Sequence, residues 1–205
     1  MPDSTCFQCS LTRYQLRAFE RSRQSGFSLI EVLVALFITL IGLLSLTGLI
    51  ARSNQAEMES YQRVQALMLL QDMVDRININ RKVAACYSND ATGRTVGTSF
   101  TGTLTCTVGT AQQNTQVAAD LTAWNNLLQG SAEVAPGTTK IGAMIGARGC
   151  IAQIDAVNNI YIVSVAWQGL VATAAPGNPC GSGLYGSDDK FRRVVTATLR
   201  IGTLT

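Results

Sequence analysis

Residues 27–50 read FSLIEVLVALFITLIGLLSLTGLI, and this run constrains the chain more than any other part of it. It holds a single charge, Glu31, and no proline. As one helix it would be about 36 Å long, enough to cross a bilayer core of about 30 Å. A carboxylate near one end of such a run is costly to bury unless a positive group meets it. The alternative is that Glu31 simply reaches the aqueous interface.

The flanking charges orient the run. Before it lie Arg13, Arg17, Arg21 and Arg23 against Asp3 and Glu20; just after it, Arg52 faces Glu57 and Glu59. An excess of arginine on the N-terminal side predicts a cytoplasmic N-terminus, with everything after Ile50 outside. The net charge of +3 is therefore mostly spent in the first 26 residues. The remainder is nearly neutral, which argues against nucleic acid as a partner, because binding it requires clustered cations.

Residues 1–26 are polar and basic and read as a leader, not as folded structure. A secretory signal is cut after its apolar stretch at a small residue. Here the apolar stretch continues unbroken into a helical pattern, so any cut must precede it. Cys6 and Cys9 form a C-x-x-C within this leader, where a lone pair carries little meaning.

Four cysteines follow the run: Cys86, Cys106, Cys150 and Cys180. In an oxidising compartment they suggest two disulfides. Three pairings are possible. Loop closure favours Cys86 with Cys106 and Cys150 with Cys180, because near neighbours meet at the lowest entropic cost. The chain has no histidine and its cysteine spacings are wide, so a metal site is the weaker reading.

The helical pattern continues past Ile50 to about Arg81, with no proline or glycine over residues 51–81. Tyr61, Val64, Leu67, Leu70, Val74 and Ile77 form an apolar stripe at three- and four-residue steps. Glu59 with Arg63, and Asp72 with Arg76, stand in the favourable acid-first i,i+4 order. The whole helix would be about 55 residues, or roughly 80 Å.

Residues 89–115, rich in Thr, Gly, Gln and Ser, read as loop with short strands. A short helix is expected from Asp120, acting as N-cap, through Leu128. Ala135-Pro136-Gly137 marks a turn. Strands are expected at 140–147, 150–154 and 159–168, the last two joined as a hairpin through 155–159. A Gly/Pro/Ser-rich loop over 174–187 precedes a closing strand from Arg192. A long N-terminal helix followed by a small antiparallel sheet is an α+β layout. The expected divisions are a leader (1–26), a membrane segment (27–50), an amphipathic helix (51–81) and a globular domain (82–205).

Around Gly26 the residues Arg23-Gln24-Ser25-Gly26-Phe27-Ser28-Leu29-Ile30-Glu31 resemble the type IV prepilin signal, which type II secretion pseudopilins share. The resemblance implies cleavage between Gly26 and Phe27 by a prepilin peptidase and N-methylation of Phe27. It also implies a role for Glu31 in assembly, pairing with the new amine of a neighbouring helix. The leader is longer than is usual in that family, which bears on the start codon and not on the cleavage site. Many major pilins carry a proline within the span; here Gly42 and Gly48 are its only weak points.

A second resemblance is to PilV-type minor pilins. It rests on Gln71-Asp72-Met73, Asp75-Arg76-Ile77 and Asn80-Arg81, on Asp120-Leu121 with Trp124, on Val165-Ala166-Trp167-Gln168-Gly169, and on the closing Arg193-Val194-Val195-Thr196. It implies a minor pilin acting in the initiation of pilus assembly at the filament tip, in adhesion and in twitching motility. Implied partners are the peptidase, other minor pilins, a major pilin, the inner-membrane assembly platform and a tip adhesin. No cofactor is implied. Physically, Asp72, Asp75 and Arg76 also fit a solvated, salt-bridged helix face. The competing functions are a type II secretion minor pseudopilin, a tip adhesin or DNA-uptake receptor, and a single-span protein that builds no filament.

No catalytic reading emerges: there is no histidine, nucleophile elbow or phosphate loop. Asp188-Asp189-Lys190 reads as a solvated turn, with calcium as the minor alternative, and Trp124 and Trp167 as core anchors.

Overall fold

The computed structural model describes residues 26–89, 93–131, 142 and 144–202. The leader arginines, Cys6 and Cys9, the turn at 135–137 and most of the first half of the strand expected at 140–147 lie outside the described residues.

Helix α1 runs Leu29–Ile79. A 3-10 turn, Arg81–Val83, and a short helix α2, Ala84–Ser88, follow it. Strand β1 (Arg94–Gly97) precedes helix α3 (Ala111–Leu128), and strands β2 (Ile145–Asp155), β3 (Ile160–Gln168) and β4 (Arg192–Arg200) complete the chain. The four strands form one antiparallel meander in sequence order. The fold class is therefore α+β. The chain divides into two compact units, Met1–Thr47 and Gly48–Thr205, with the boundary inside α1.

In the second unit α1 buries Gln62, Ala66, Leu70, Met73 and Ile77, a ridge of three- and four-residue steps. This ridge is rotated from the expected stripe. Leu70 and Ile77 belong to both, but Tyr61, Val64 and Leu67 remain about half exposed. The reason is that this part of α1 carries apolar residues on more than one face, and only one face can meet the core. The core joins that ridge to Tyr87, Val117, Leu121 and Trp124 from the helices and to Val96, Ile151, Val163, Val165 and Trp167 from the sheet.

Helix α3 is capped ten residues earlier than its apolar segment suggests. Thr110 is the N-cap, and its Oγ1 accepts from Gln113 N while Gln113 Oε1 accepts from Thr110 N, a reciprocal capping box. Asp120, expected as the cap, sits mid-helix and is buried.

Two expected strands prove to be one. β2 runs through Gly146, whose φ of +64° suits glycine where the register slips between Ile145 and Arg148. Gly149 lies against the Trp124 ring and Leu128, where a β-carbon has no room. These glycines thus fit a bulge and a close helix–sheet approach, and neither breaks the strand. The hairpin through 155–159 forms between β2 and β3, with Asp155 Oδ1 accepting from the amides of Val157 and Asn158.

Candidate functional site

The first unit holds the candidate assembly segment. Ser28 starts the helix: its carbonyl accepts from Glu31 N at 3.1 Å and Val32 N at 3.3 Å, and its Oγ accepts weakly from Glu31 N at 3.4 Å. Ser28-Leu29-Ile30-Glu31 therefore has the S-x-x-E pattern of a helix start, a signal available in the sequence but overlooked there. Glu31 falls in the first turn, where a negative charge suits the helix dipole. Gly26 has open space around it, and Phe27 is 83% exposed. Phe27, Glu31, Val32, Ala35, Leu36 and Thr39 line one shallow groove.

Every residue over 29–50 is exposed, although this is the most apolar part of the chain. An 18-residue window of α1 reaches a mean hydropathy of 2.6 with none of it buried. The polar side chains inside the run satisfy themselves. Thr39 Oγ1 donates to Ala35 O, Ser45 Oγ to Ile41 O at 3.0 Å, and Thr47 Oγ1 to Leu44 O at 2.8 Å. Glu31 cannot use this device, because a carboxylate cannot donate to a backbone carbonyl.

The second unit is held by charge clusters and disulfides. Arg76 Nε donates to Asp72 at 2.9 Å and its Nη1 to Asp120 at 3.1 Å. Asp120 also accepts from Tyr87 OH at 2.6 Å and Gln116 Nε2 at 2.9 Å. The hydrogen bond that Arg76 donates to Asp72 raises the Arg76 pKa despite partial burial. Burial first, then the bond to Asp120, pushes the Tyr87 phenol well above its ordinary value. This cluster links α1, α2 and α3. Trp124 Nε1 adds a donor to Leu69 O at 2.8 Å. Both tryptophans are buried.

Glu59 does not pair with Arg63. Its Oε1 accepts from Arg193 Nη2 at 3.2 Å and from the amides of Leu170 and Val171, each at 3.0 Å. A preorganised set of three donors outcompetes an exposed i,i+4 partner. Cys86 is joined to Cys106 and Cys150 to Cys180, with Cα separations of 5.4 and 5.8 Å.

The Asp188–Lys190 turn is internally paired. Asp188 meets Lys190 at 2.8 Å, and Asp189 meets Arg192 Nε at 3.2 Å while accepting from Gly183 N and Ser182 Oγ. The Gly183 amide is the first cause that lowers the Asp189 pKa. Arg192, almost fully buried, donates to the carbonyls of Pro176, Asn178 and Cys180. One arginine thus organises a loop that has no regular structure.

Comparison with known proteins finds two family matches, each over part of the chain. Residues 21–47 match the prokaryotic N-terminal methylation motif, and residues 48–121 match the family described as type IV pilin Tt1218. No curated protein and no solved structure matches the chain. The two family matches support a type IV pilin family and a pilin role in pilus assembly, and the α+β architecture is consistent with that fold. Pilin families are structural proteins, and the methylation motif implies processing by prepilin peptidase.

Proposed function

We propose that this chain is a minor pilin of a type IV pilus. It is made as a precursor, cut between Gly26 and Phe27, N-methylated at Phe27 and held in the inner membrane by residues 27–50. The N-terminus is cytoplasmic and the domain at 82–205 is periplasmic until the subunit enters a filament. There it acts with other minor pilins at the tip, above a major pilin, to initiate assembly, and so supports adhesion and twitching motility.

The observation that carries this reading is the fully exposed apolar helix over residues 29–50, with its hydroxyls self-bonded and Glu31 as its single charge. Such a surface needs lipid or neighbouring helices as its solvent. In either, the Glu31 carboxylate needs a cation, and the amine created at Phe27 of an adjacent subunit supplies one.

Two substitutions separate processing from assembly. Gly26→Val is expected to leave the precursor uncut in peptidase-competent cells. Glu31→Ala is expected to be cut normally and to be depleted from sheared filaments. Wild-type incorporation of Glu31→Ala would end the pairing mechanism.

A further inference from the structure

The two edges of the sheet are finished differently. β1 is four residues long, and α3 caps its end: Asn125 Oδ1 accepts from Gly97 N at 2.8 Å, and Gln129 Nε2 donates to Gly97 O at 3.2 Å. β4, at the other edge, is nine residues long and pairs with β3 without a register shift. Residues 194–199 read VVTATL, with no charge, proline or glycine. Short strands, charges, prolines and bulges are what protect an edge from further pairing, and this stretch of β4 has none of them.

The ladder shows which backbone groups are open. Gly169 N donates to Phe191 O and Ile201 N to Asn159 O, both in the register that pairs Ile160 with Arg200. In an antiparallel ladder, hydrogen-bonded pairs alternate with pairs whose N–H and C=O groups point away. The odd-numbered residues of β4 therefore bond β3, while Val194, Thr196, Thr198 and Arg200 turn theirs to the open side. Arg192, at the next even position, fits the same parity, since its N–H donates to Asp189 O outside the sheet. Among the described residues nothing bonds the outward backbone groups of 194–200. The core is open on this side too. Tyr161, Val163 and Val165 on β3 are buried, but Leu199 and Ala197, which pair with Tyr161 and Val163, are only partly so.

Charge decides the occupant. Arg81, Lys82 and Arg200 are exposed, and none of them is ion-paired among the described residues. Arg81 and Lys82 line a cleft with Asn159, Tyr161, Ile201 and Gly202, just past the C-terminal end of β4. Arg200 has Asp155 nearby, but that carboxylate accepts from the amides of Val157 and Asn158. At the opposite end of β4, Arg192 and Arg193 already hold Asp189 and Glu59. A second copy of β4 fits neither way. Added parallel, it would bring the two sets of three cations together. Added antiparallel, it would set them against an end whose carboxylates are taken. Like charges across a strand pair destabilise it, and opposite charges support it.

We propose that the outer edge of β4 takes an extended segment of a different protein, added antiparallel, with alternating apolar and hydroxyl side chains and carboxylates at its N-terminal end. The apolar row would extend the cover over Ala197 and Leu199, the hydroxyl row would stand beside Thr196 and Thr198, and the carboxylates would meet Arg200, Arg81 and Lys82. The site lies wholly within the second unit and depends neither on the membrane segment nor on the minor-pilin reading.

The test uses the full chain in detergent and the acetylated, amidated peptide EETVTVTVT. Amide exchange over 194–200, read by mass spectrometry, is expected to slow as peptide is added. The control KKTVTVTVT should need about ten-fold more peptide for the same protection. Arg81→Gln with Lys82→Gln should narrow that difference. Thr198→Pro removes an outward N–H and leaves the bonds to β3 in place, so it should abolish the protection. Thr196→Pro does the same at an independent position, and Thr198→Val, which keeps the N–H, should bind as wild type does. No protection at millimolar peptide, equal protection by both peptides, or protection that survives both proline variants would overturn the proposal. Dimerisation without peptide that protects 194–200 and is lost in Thr198→Pro would assign the edge to a second copy, and would overturn it as well.

Discussion

Removing the Asp120 carboxylate is expected to loosen the joint between α1, α2 and α3. Asp120 is nearly buried and accepts from Arg76, Tyr87 and Gln116. Breaking a buried ion pair from one side costs about 3–5 kcal/mol. Two features reduce that figure here: the Arg76 side chain keeps 27% of its exposure, and Asp72 remains as its second partner. Tyr87 works the other way, since a buried hydroxyl left without its acceptor costs about 1–3 kcal/mol. Asp120→Ala should therefore destabilise the domain by about 2–4 kcal/mol, or about 5–15 °C in Tm for a domain of this size. Asp120→Asn, which can still accept from Tyr87, should lose less than half as much. Thermal unfolding in detergent, followed by the fluorescence of Trp124 one turn away and of Trp167, reads the change directly. A shift of Asp120→Ala within about 0.5 kcal/mol of wild type, the range of an ordinary surface substitution, would refute the reasoning.

Three further outcomes follow from the same structure. Replacing Cys150 and Cys180 by serine should cost about 3–4 kcal/mol through the reopened 30-residue loop, seen as a lower denaturation midpoint under non-reducing conditions. Gly149→Ala should cost about 1–3 kcal/mol because its β-carbon collides with the Trp124 ring and Leu128, read as a lower denaturation midpoint. Asp189 has its folded pKa lowered, so its contribution is complete above the ordinary carboxylate value near about 4 and is lost as pH falls through the lowered one. The protection factor of the Gly183 amide, its exchange relative to an unstructured peptide at the same pH, should accordingly fall at acid pH, and Asp189→Asn should remove that dependence.

Most local features of this molecule were legible in its residues, and among the non-local ones only the two disulfide pairings were. The apolar run, the 155–159 hairpin and the closing strand all announce themselves within a few neighbours. The beginning of α3 does not, because its first third, AQQNTQ, is polar and shows no apolar periodicity. Its one signal was Thr110-x-x-Gln113. Asp120 looked like a cap because it precedes an apolar stretch; besides Gln116 on its own helix, its partners stand 33 and 44 residues away. Glu59 likewise passes over Arg63, four residues on, for Arg193, 134 residues on. On α1, periodicity alone found two apolar residues of the buried ridge but not its rotation, because the choice among several apolar faces is made by the sheet. Strand β1, four residues long, owes its place to its ladder with β2 and to Asn125 Oδ1, which accepts from Gly97 N at 2.8 Å.

The most direct test of the account is mass spectrometry of this protein recovered from sheared, purified filaments. The account predicts an N-terminal peptide beginning at methylated Phe27, present in trace amounts beside an abundant major subunit. An N-terminus still carrying residues before Phe27, in cells with an active prepilin peptidase, would contradict it.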